Sequence, residues 1–490
     1  MPASAASAGI DGAPGLAADA RLPLIVDLDQ TLVVTDTLYE GFVRLLFQRP
    51  WAAVLGLLSL LQGRAALKAR LSALCACDPT SLPYREPLCD LIRAETARGR
   101  TSHLFTAADQ SVADAVAGHL GLFASAVGSD GVRNLKGGRK LEAIRERFPD
   151  GFLYAGDHAA DLPLFLASQG AVLCDVSPAV AAEVKARNLV LAQFERPRAT
   201  PRTWVKALRV HQWSKNLLIF VPVVVGHAYS DLHKVLAAGL GFLLFCVLAS
   251  ATYMLNDLAD LAADRAHPSK RRRPFASGAL PLQLGLVAAP ALILGALVGG
   301  WLLSPAFALT MAAYLVLTLA YSFRLKRLPL LDVFIISALF TLRIVLGTQV
   351  IAAPYSPWLM SFSWAFFLSL ALAKRHVEVM RAASRNIDDV AGRGYRASDW
   401  PITLTFGIGA GLVSVLVMLL YLANDAMPSG FYVRPVWLYP VPAVITLWLM
   451  RVWLLSNRME LDDDPIVFAL KDPPSLLLGA AAFAALIVAI

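Results

Sequence analysis

Acidic and basic side chains follow one another closely in residues 256–278, which read NDLADLAADRAHPSKRRRPFASG. Asp257, Asp260 and Asp264 are spaced i, i+3 and i+7, which places all three on one face of a predicted helix. A run of cations, residues 270–273, follows them. Carboxylates bind Mg²⁺, Mg²⁺ binds a diphosphate, and Arg and Lys bind the remaining phosphate oxygens. The segment therefore predicts a site for Mg²⁺ and a diphosphate, although a solvated loop in which the acids neutralise the arginines is the alternative.

Another group of polar residues follows the apolar runs of the first 165 residues. Asp27 and Asp29 come directly after the run LPLIV, Thr106 ends a second run, and Asp157 and Asp161 follow a third. If these runs are parallel strands, their carboxyl ends meet at the sheet edge where open α/β sheets bind ligands. The polar side chains are therefore expected to lie close together.

These residue types suit the hydrolysis of a phosphate ester. One aspartate can attack phosphorus, and a second, two residues on, can protonate the leaving oxygen and then activate water. Thr106 and Lys136 can hold the phosphoryl group, with Lys140 as the rival lysine, and Asp157 and Asp161 can bind Mg²⁺ together with the first aspartate. Helix N-capping, which Asp and Thr also favour, is the structural alternative.

The composition indicates a protein that lies largely in lipid. The chain has 490 residues, of which 57% are hydrophobic and only 16% are charged, whereas about a quarter are charged in soluble proteins. The formal net charge of +8 is typical of cytoplasmic loops that face anionic headgroups, so no nucleic-acid partner is predicted. Five scattered cysteines predict reduced thiols rather than a zinc site.

Apolar segments of spanning length recur after residue 200. Nine transmembrane helices are predicted, at about 216–233, 235–255, 281–303, 305–323, 329–350, 357–374, 402–423, 435–453 and 474–490. The loops between them alternate between strongly basic and nearly uncharged. By the positive-inside bias, the N-terminal domain and the charged loops are cytoplasmic, and the chain is a multi-pass protein of the inner (plasma) membrane.

The predicted architecture combines an N-terminal α/β Rossmann-like domain carrying a helical cap with a C-terminal all-α polytopic membrane domain. The boundaries are a disordered leader at 1–20, the α/β domain at 21–194 with its cap at about 37–100, a linker at 195–202 and the membrane domain at 203–490. An apolar stretch at 51–61 is too short to span a bilayer, and a cap helix is predicted there, with contact to the membrane left open.

Further polar residues lie next to or inside the predicted spans. An unpaired charge within a span costs roughly 2.5–3.5 kcal/mol on insertion scales, so such groups usually line a wet cavity. Those predicted to serve the diphosphate site are Lys215, Asn256, Tyr321, Lys326, Arg343, Lys374 and Arg375.

The first domain resembles the haloacid-dehalogenase phosphohydrolase superfamily, on the ordered motifs DxDxT, Thr, Lys and GDxxxD. The resemblance implies that Asp27 is the nucleophile and Asp29 the general acid/base. It implies phosphate-binding roles for Thr106 and Lys136, and metal binding by Asp157 and Asp161.

The rest of the chain resembles the UbiA-type intramembrane prenyltransferase superfamily. The motifs LRVHQWSKN, NDxxDxxxDxxHPxKRxRPxASG and YSxxLK are most similar to those of decaprenyl-phosphate phosphoribosyltransferases. The resemblance implies that Asp257, Asp260 and Asp264 bind Mg²⁺ and the diphosphate of phosphoribosyl diphosphate, and that Lys270, Arg271 and Arg273 bind phosphates. The second acidic motif of quinone-type members is reduced here to Asp332, which argues against a prenyl diphosphate donor.

Together the two resemblances imply a bifunctional enzyme. The membrane domain would transfer 5-phosphoribose from phosphoribosyl diphosphate to a polyprenyl phosphate, and the first domain would remove the 5-phosphate. The product would be polyprenyl-phosphoryl ribose, a precursor of lipid-linked arabinose and hence of cell-wall arabinan. The alternatives are a quinone-type prenyltransferase acting on an aromatic acceptor, and a transporter or lipid-binding scaffold. The oligomeric state is left open.

Overall fold

A computed structural model describes residues 21–196, 199–390, 392–428, 432–461, 468–469 and 471–489. The predicted leader at 1–20 and the middle of the predicted linker lie outside these residues. The chain forms two compact units. The first contains the residues up to 208 together with 253–288, and the second contains 209–252 and the residues from 289 onward.

A parallel sheet of six strands forms the centre of the first unit, in the order β3-β2-β1-β4-β5-β6. The strands are β1 (Leu24–Val26), β2 (Ser102–Asp109), β3 (Ser125–Ser129), β4 (Leu153–Gly156), β5 (Ala171–Cys174) and β6 (Val190–Phe194). All of β1 is buried, as expected of a short apolar strand with helices on both faces of the sheet. Because β1 pairs with both β2 and β4, the strand order reverses there, which marks the position of a ligand site.

Helices alternate with strands in most of the first unit and make up the regular structure of the second. Four of them, α1–α4, are inserted between β1 and β2, where the cap was predicted. In chain order the helices are α1 (Thr37–Gln48), α2 (Pro50–Leu57), α3 (Arg64–Leu74), α4 (Glu86–Ala97), α5 (Gln110–Leu120), α6 (Gly138–Arg147), α7 (Leu162–Ala167), α8 (Pro178–Arg187), α9 (Pro201–Ala207), α10 (Val221–Val225), α11 (Leu232–Ala259), α12 (Leu261–Ala266), α13 (Leu282–Leu303), α14 (Pro305–Phe323), α15 (Leu331–Val350), α16 (Pro357–Ser384), α17 (Trp400–Tyr421), α18 (Pro440–Asn457) and α19 (Pro473–Ala489).

The acidic part of residues 256–278 is not one helix. Helix α11 ends at Ala259 and α12 begins at Leu261, with Asp260 between them. His267 is extended, with ψ of 130°, because it precedes a proline, which disfavours helical geometry. The prediction that one helical face carries all three aspartates is therefore wrong, although Asp257 and Asp264 still converge, as described below.

Six helical segments of the described chain are long and apolar enough to cross a membrane. They are α11, α13, α14, α15 and the segments Ala397–Ala426 and Pro435–Asn457, which contain α17 and α18. The chain is thus a multi-pass membrane protein, but the predicted number of nine spans is not confirmed. Helix α19 has only 17 residues, and α16 ends in a basic, polar half.

The first predicted span, 216–233, is not a single helix. A 3-10 segment, Val210–Phe220, passes into the short helix α10 and then a turn at Gly226. Pro222 lies near the start of α10 and supplies no backbone N–H, while His227 has a positive φ of 54°. Apolar composition predicts a span here because composition alone contains no information about such breaks in a helix.

Candidate functional site

The first predicted site lies at the carboxyl ends of β1 and β4, in the first unit. Asp27 is the residue after β1, and its Oδ1 lies 2.8 Å from Nζ of Lys140 and accepts a hydrogen bond of 2.8 Å from the backbone N–H of Leu28. Its side chain is only 12% exposed, and this burial raises its pKa above the usual value. The carboxylate is thus held in a fixed orientation beside the ammonium of Lys140.

Asp29 is positioned by the first turn of the cap helix α1. Its Oδ1 accepts hydrogen bonds of 2.7 Å from both the backbone N–H and the hydroxyl of Thr37. Burial, followed by the nearby charge of Asp36, raises the pKa of Asp29 to about 7. A carboxyl group with such a pKa can both donate and accept a proton near neutral pH.

Asp157 and Asp161 complete a group of three acids with Asp27. One ligand oxygen from each lies within 4.8 Å of the others, and this is the one such acidic cluster found among the described residues. Oδ2 of Asp161 is buried without a hydrogen-bond partner in the described chain. Burial, together with the charges of Asp27 and Asp161, raises the pKa of Asp157 to about 8. Such mutual repulsion is relieved by a divalent cation, so these residues fit Mg²⁺.

The lysine in contact with the first aspartate is Lys140 and not Lys136. Lys136 is exposed, whereas Lys140 is buried in the first turn of α6 and also donates to the hydroxyl of Tyr154 at 3.1 Å. Side chains of a helix tilt toward its N-terminus, so Lys140 extends from the start of α6 toward the sheet. Gly137, with φ of 58°, directly precedes α6. The pair Gly137 and Gly138 is the sequence signal that indicates a helix start after Lys136.

Thr106 lies inside β2 rather than at its end. It is fully buried, and its Oγ1 accepts a hydrogen bond of 3.0 Å from the backbone N–H of Ala108. One lone pair of the hydroxyl oxygen is used in this way, and the hydroxyl proton can donate to a ligand. Strand β2 continues past Thr106 to Asp109, which the apolar run ending at residue 105 did not indicate.

The acid-base segment forms a second cluster within the first unit. Nη1 of Arg273 lies 2.6 Å from Oδ2 of Asp264 and 3.1 Å from Oδ1 of Asp257, and both carboxylates are only 2% exposed. The predicted ligands therefore separate into a buried pair and an exposed group. The exposed residues are Asp260, Lys270 and Arg271, and Asn256 is half-buried.

The second unit contains a buried ion cluster around Asp332, in the first turn of α15. Nη2 of Arg375 lies 2.8 Å from Oδ2 of Asp332, and the hydroxyl of Tyr395 donates to Oδ1 at 2.7 Å. Arg393 donates to the hydroxyl of Tyr321 at 2.8 Å and lies 3.9 Å from Asp332. The structure thus brings together three residues that the sequence singled out and two, Arg393 and Tyr395, that it did not.

Arg393 and Tyr395 come from the loop after α16. The basic character of that loop was evident, but its return to α15 is a tertiary contact with no local pattern. The one signal available was a pair of glycines, Gly392 and Gly394. A Cβ on Gly394 would lie 2.4 Å from the carbonyl oxygen of Arg327, so only glycine permits this close approach of two loops.

Arg343 has a structural set of partners inside the second unit. Nε donates to Asn216 at 3.1 Å, Nη1 to the carbonyl of Leu339 at 2.6 Å and Nη2 to the hydroxyl of Tyr314 at 3.0 Å. The guanidinium carbon also lies 4.9 Å from the ring centre of Phe340. These contacts account for a buried arginine within α15 without a ligand, because each of its three nitrogen atoms donates to a group of the protein.

The remaining predicted residues of the second unit are less buried. Lys215 lies with Nζ 6.0 Å from the ring centre of Phe340, Lys326 is half-buried, and Lys374 is exposed. An apolar cavity of about 690 Å³ in the same unit, lined by residues such as Val225, Trp358 and Phe362, contains none of the predicted site residues.

Comparison with known proteins identifies the family of the C-terminal part. The sequence profile of the UbiA prenyltransferase family matches residues 218–487, more than half of the chain.

Three relatives illustrate how the similarity is distributed. Uncharacterized protein y4nM of Sinorhizobium fredii (strain NBRC 101917 / NGR234) is 48% identical over 472 residues, which cover 96% of this chain and 92% of the relative. Nodulation protein NoeC of Azorhizobium caulinodans is 35% identical over 283 residues, 57% of this chain and 91% of the relative. Decaprenyl-phosphate phosphoribosyltransferase of Mycobacterium tuberculosis (strain CDC 1551 / Oshkosh) is 34% identical over 179 residues, 36% of this chain and 59% of the relative.

Proposed function

The chain belongs to the UbiA prenyltransferase family, and from this premise we propose that it is a bifunctional membrane enzyme. Its membrane domain transfers 5-phosphoribose from phosphoribosyl diphosphate to a polyprenyl phosphate. Its N-terminal domain then removes the 5-phosphate and yields polyprenyl-phosphoryl ribose, a precursor of lipid-linked arabinose. The observation that carries the hydrolytic step is the cluster of Asp27, Asp157 and Asp161 beside Lys140.

The similarity to decaprenyl-phosphate phosphoribosyltransferase supports the ribosyl donor. In the transfer, a phosphate oxygen of the lipid forms a bond to C1 of the ribose, and the bond from C1 to the diphosphate breaks. The diphosphate leaves with the bonding electron pair, so the protein must mainly orient the reactants and stabilise the negative charge that develops.

Buried carboxylates and nearby arginines supply both functions in the acid-base segment. Asp257 and Asp264 are the pair that would hold Mg²⁺, since both are buried and each lies within 3.1 Å of the same guanidinium nitrogen. Bound Mg²⁺ would neutralise the diphosphate. Arg273, Lys270 and Arg271 supply the positive charge for the remaining oxygens. In the second unit, the exposed Lys374 and the half-buried Lys215 and Lys326 are proposed to bind substrate phosphates.

The geometry around β1 supports hydrolysis by way of an aspartyl phosphate. A carboxylate oxygen of Asp27 attacks phosphorus, and the bond from phosphorus to the 5-oxygen of the ribose breaks. Asp29, with a pKa of about 7, gives its proton to that oxygen. Asp29 then takes a proton from a water molecule that attacks the aspartyl phosphate, which releases inorganic phosphate and restores Asp27.

Lys140 and Thr106 assist both stages of this hydrolysis. The ammonium of Lys140 lies beside the nucleophile and offsets the charge of the phosphoryl oxygens, and Thr106 can donate its hydroxyl proton to one of them. Mg²⁺ bound by the three acids would supply further charge stabilisation and reduce repulsion between the attacking carboxylate and the phosphate.

The test uses the full-length protein in membranes with labelled phosphoribosyl diphosphate and a polyprenyl phosphate. We expect Asp257→Asn to stop lipid labelling. We expect Asp27→Asn to leave labelling intact while the 5-phosphorylated lipid accumulates, as identified by mass spectrometry. The exposed Asp425 and Asp114 supply matched controls, because Asp425→Asn and Asp114→Asn remove a charge of the same type outside both sites.

One experimental outcome would contradict the coupling of the two steps, and another would contradict the ribosyl donor. A product free of 5-phosphate in the Asp27→Asn variant would contradict the coupling of the two steps. Labelling of an aromatic acceptor from a prenyl diphosphate, with no transfer from phosphoribosyl diphosphate, would instead establish the quinone-type alternative.

A further inference from the structure

The cap of the first unit carries a large apolar surface. The helical segment Pro50–Gln62, formed by α2 and the 3-10 turn after it, is here called the cap face. Seven large apolar side chains project from it with exposed fractions between 42% and 89%. They are Trp51, Val54, Leu55, Leu57, Leu58, Leu60 and Leu61.

The buried side of the cap face carries small residues instead. Ala53 and Gly56 face the cap interior, and a Cβ on Gly56 would lie 3.2 Å from a methyl group of Leu71 in α3. A helix that packs on a water-soluble core places its large apolar residues inward. The reversed arrangement leaves a contiguous apolar patch, which in soluble proteins marks an interaction site.

Exposed arginines border the cap face at both ends. Arg49 immediately precedes it and Arg64 begins the next helix, and Arg44 and Arg70 are also exposed on the flanking helices. Trp51, at the start of the face, is 81% exposed. Apolar side chains with a tryptophan and a basic border are suited to the interface of a bilayer that contains anionic lipids.

The cap is also held near the end of a membrane helix by contacts inside the first unit. Arg265 follows the end of α11 by six residues and pairs with Glu40 of α1, with distances of 2.6 and 3.0 Å between their side-chain atoms. The same guanidinium donates to the carbonyl of Ser81 at 3.0 Å. Helix α1 has 12 residues, about 18 Å at 1.5 Å per residue, and the cap face begins directly after it.

We propose that the cap face docks on the surface of the lipid bilayer that α11 crosses. The reason for such docking rests on the proposed function, in which the phosphatase must act on a lipid-linked phosphate ester. Helix α3 packs against the cap face, and from it Nζ of Lys68 donates to the carbonyl of Ala107 at 2.5 Å, one residue after Thr106. The docked surface and the phosphate-binding strand are thus connected through a single helix.

The first test measures lipid contact directly. The full-length protein carrying Leu61→Cys or, as a matched control, Leu189→Cys is labelled with an environment-sensitive fluorophore, and the parent protein labelled in parallel serves as blank. Leu189 is a 59% exposed leucine of the same unit outside the cap. In nanodiscs of phosphatidylcholine and phosphatidylglycerol, we expect nitroxide lipids to quench the label at position 61 and iodide to quench the label at position 189.

Two outcomes of this experiment would overturn the proposal. If iodide quenches both labels equally and nitroxide lipids quench neither, the cap face is in water. If the label at position 61 is shielded from both quenchers, a second copy of the chain or another protein covers the face instead of lipid.

The second test separates docking from catalysis. We expect the double change Leu58→Asp and Leu61→Asp to lower hydrolysis of the lipid-linked phosphate ester in vesicles about tenfold or more, because charged side chains resist entry into the interface. Hydrolysis of ribose 5-phosphate in solution should change less than twofold, and the matched pair Val132→Asp and Leu189→Asp should affect neither reaction.

The two substrates distinguish failure of docking from failure of the proposed function. Unchanged hydrolysis of the lipid-linked ester in the Leu58 and Leu61 variant would refute a role for docking in substrate access. If the unmodified protein hydrolyses neither ester, the proposed phosphatase activity is wrong, whereas the quenching result still decides whether the cap face contacts lipid.

Discussion

Asp157→Asn should make the metal-free protein more stable and should reduce its response to Mg²⁺, because it removes one of the three carboxylates that would bind the ion beside β1. In the folded protein, burial and the charges of Asp27 and Asp161 raise the pKa of Asp157 to about 8, against an ordinary value near 3.9 in the unfolded chain. A group with a raised pKa contributes stability below its unfolded pKa and loses it as the pH rises through the folded pKa. The stability of the metal-free protein should therefore fall between about pH 4 and pH 8.

The magnitude follows from the distance between pH 7 and the ordinary pKa. About three units correspond to ~4 kcal/mol if the whole shift belonged to Asp157. Because three acids share the repulsion, removing one should recover a smaller part, about 1–3 kcal/mol, or ~2–12 °C in melting temperature for a unit of this size. Saturating Mg²⁺ at one hundred times its Kd should add about 2.7 kcal/mol to the unmodified protein.

The assay is thermal unfolding of the detergent-solubilised full chain at pH 5 and pH 8, with EDTA and then with Mg²⁺. The exposed Asp114→Asn serves as the matched control, with a melting temperature that follows that of the unmodified protein in every condition. A lower melting temperature for metal-free Asp157→Asn, or an equal Mg²⁺ response in both proteins, would refute a shared cation site at the three acids.

Three further substitutions test individual ion pairs against matched neighbours. Lys140→Met should reduce phosphate ester hydrolysis about 10²- to 10³-fold because it removes the cation beside the nucleophile, whereas Lys136→Met should change it less than threefold. Comparable losses of activity in the two variants would contradict the assignment of Lys140 as the lysine beside Asp27. Arg273→Ala should lower stability by about 2–4 kcal/mol because it leaves the buried carboxylates of Asp257 and Asp264 without their cation. The exposed Arg272→Ala is the control in thermal unfolding, and a similar loss of stability there would show that general loss of charge is responsible. Arg375→Met should cost about 3–5 kcal/mol because it removes the arginine that lies 2.8 Å from the fully buried carboxylate of Asp332. A melting temperature within 1 °C of the unmodified protein, which corresponds to about 0.5 kcal/mol or less, would exclude a structural role for that pair.

Local patterns were sufficient to predict three of the six strands, β1, β2 and β4, and the polar residues that follow or end them. Apolar runs followed by acids predict β1 and β4, with Asp27 and Asp157 at their carboxyl ends. Such runs are informative because a strand that is buried on both faces is almost entirely apolar. The choice between two lysines four residues apart depended on where α6 begins. That boundary is fixed by Gly137 at positive φ, a backbone feature that side-chain spacing does not reveal.

The membrane part was less predictable because composition does not determine helix continuity. The spacing of the three aspartates assumed one helix, whereas α11 ends at Ala259 and leaves Asp260 exposed. The position of Arg343 within a span predicts a ligand-binding charge, yet its three nitrogen atoms donate to Asn216, Tyr314 and a backbone carbonyl. Asn216 and Tyr314 are distant from Arg343 in sequence, and no periodic pattern records such contacts.

Fusion of the two proposed activities has a physical advantage when the intermediate stays in the bilayer. A tethered second site acts on its substrate at an effective concentration set by the linker, roughly millimolar for short flexible connections. The ion pair of Glu40 with Arg265 restricts the cap further, because it connects α1 to the chain just beyond α11. If docking matters for catalysis, Glu40→Gln should raise the KM for the lipid-linked ester without changing kcat for soluble ribose 5-phosphate. Equal changes for both substrates would indicate a distorted phosphatase site instead, since Glu40 also accepts a hydrogen bond from Thr35 at 2.6 Å.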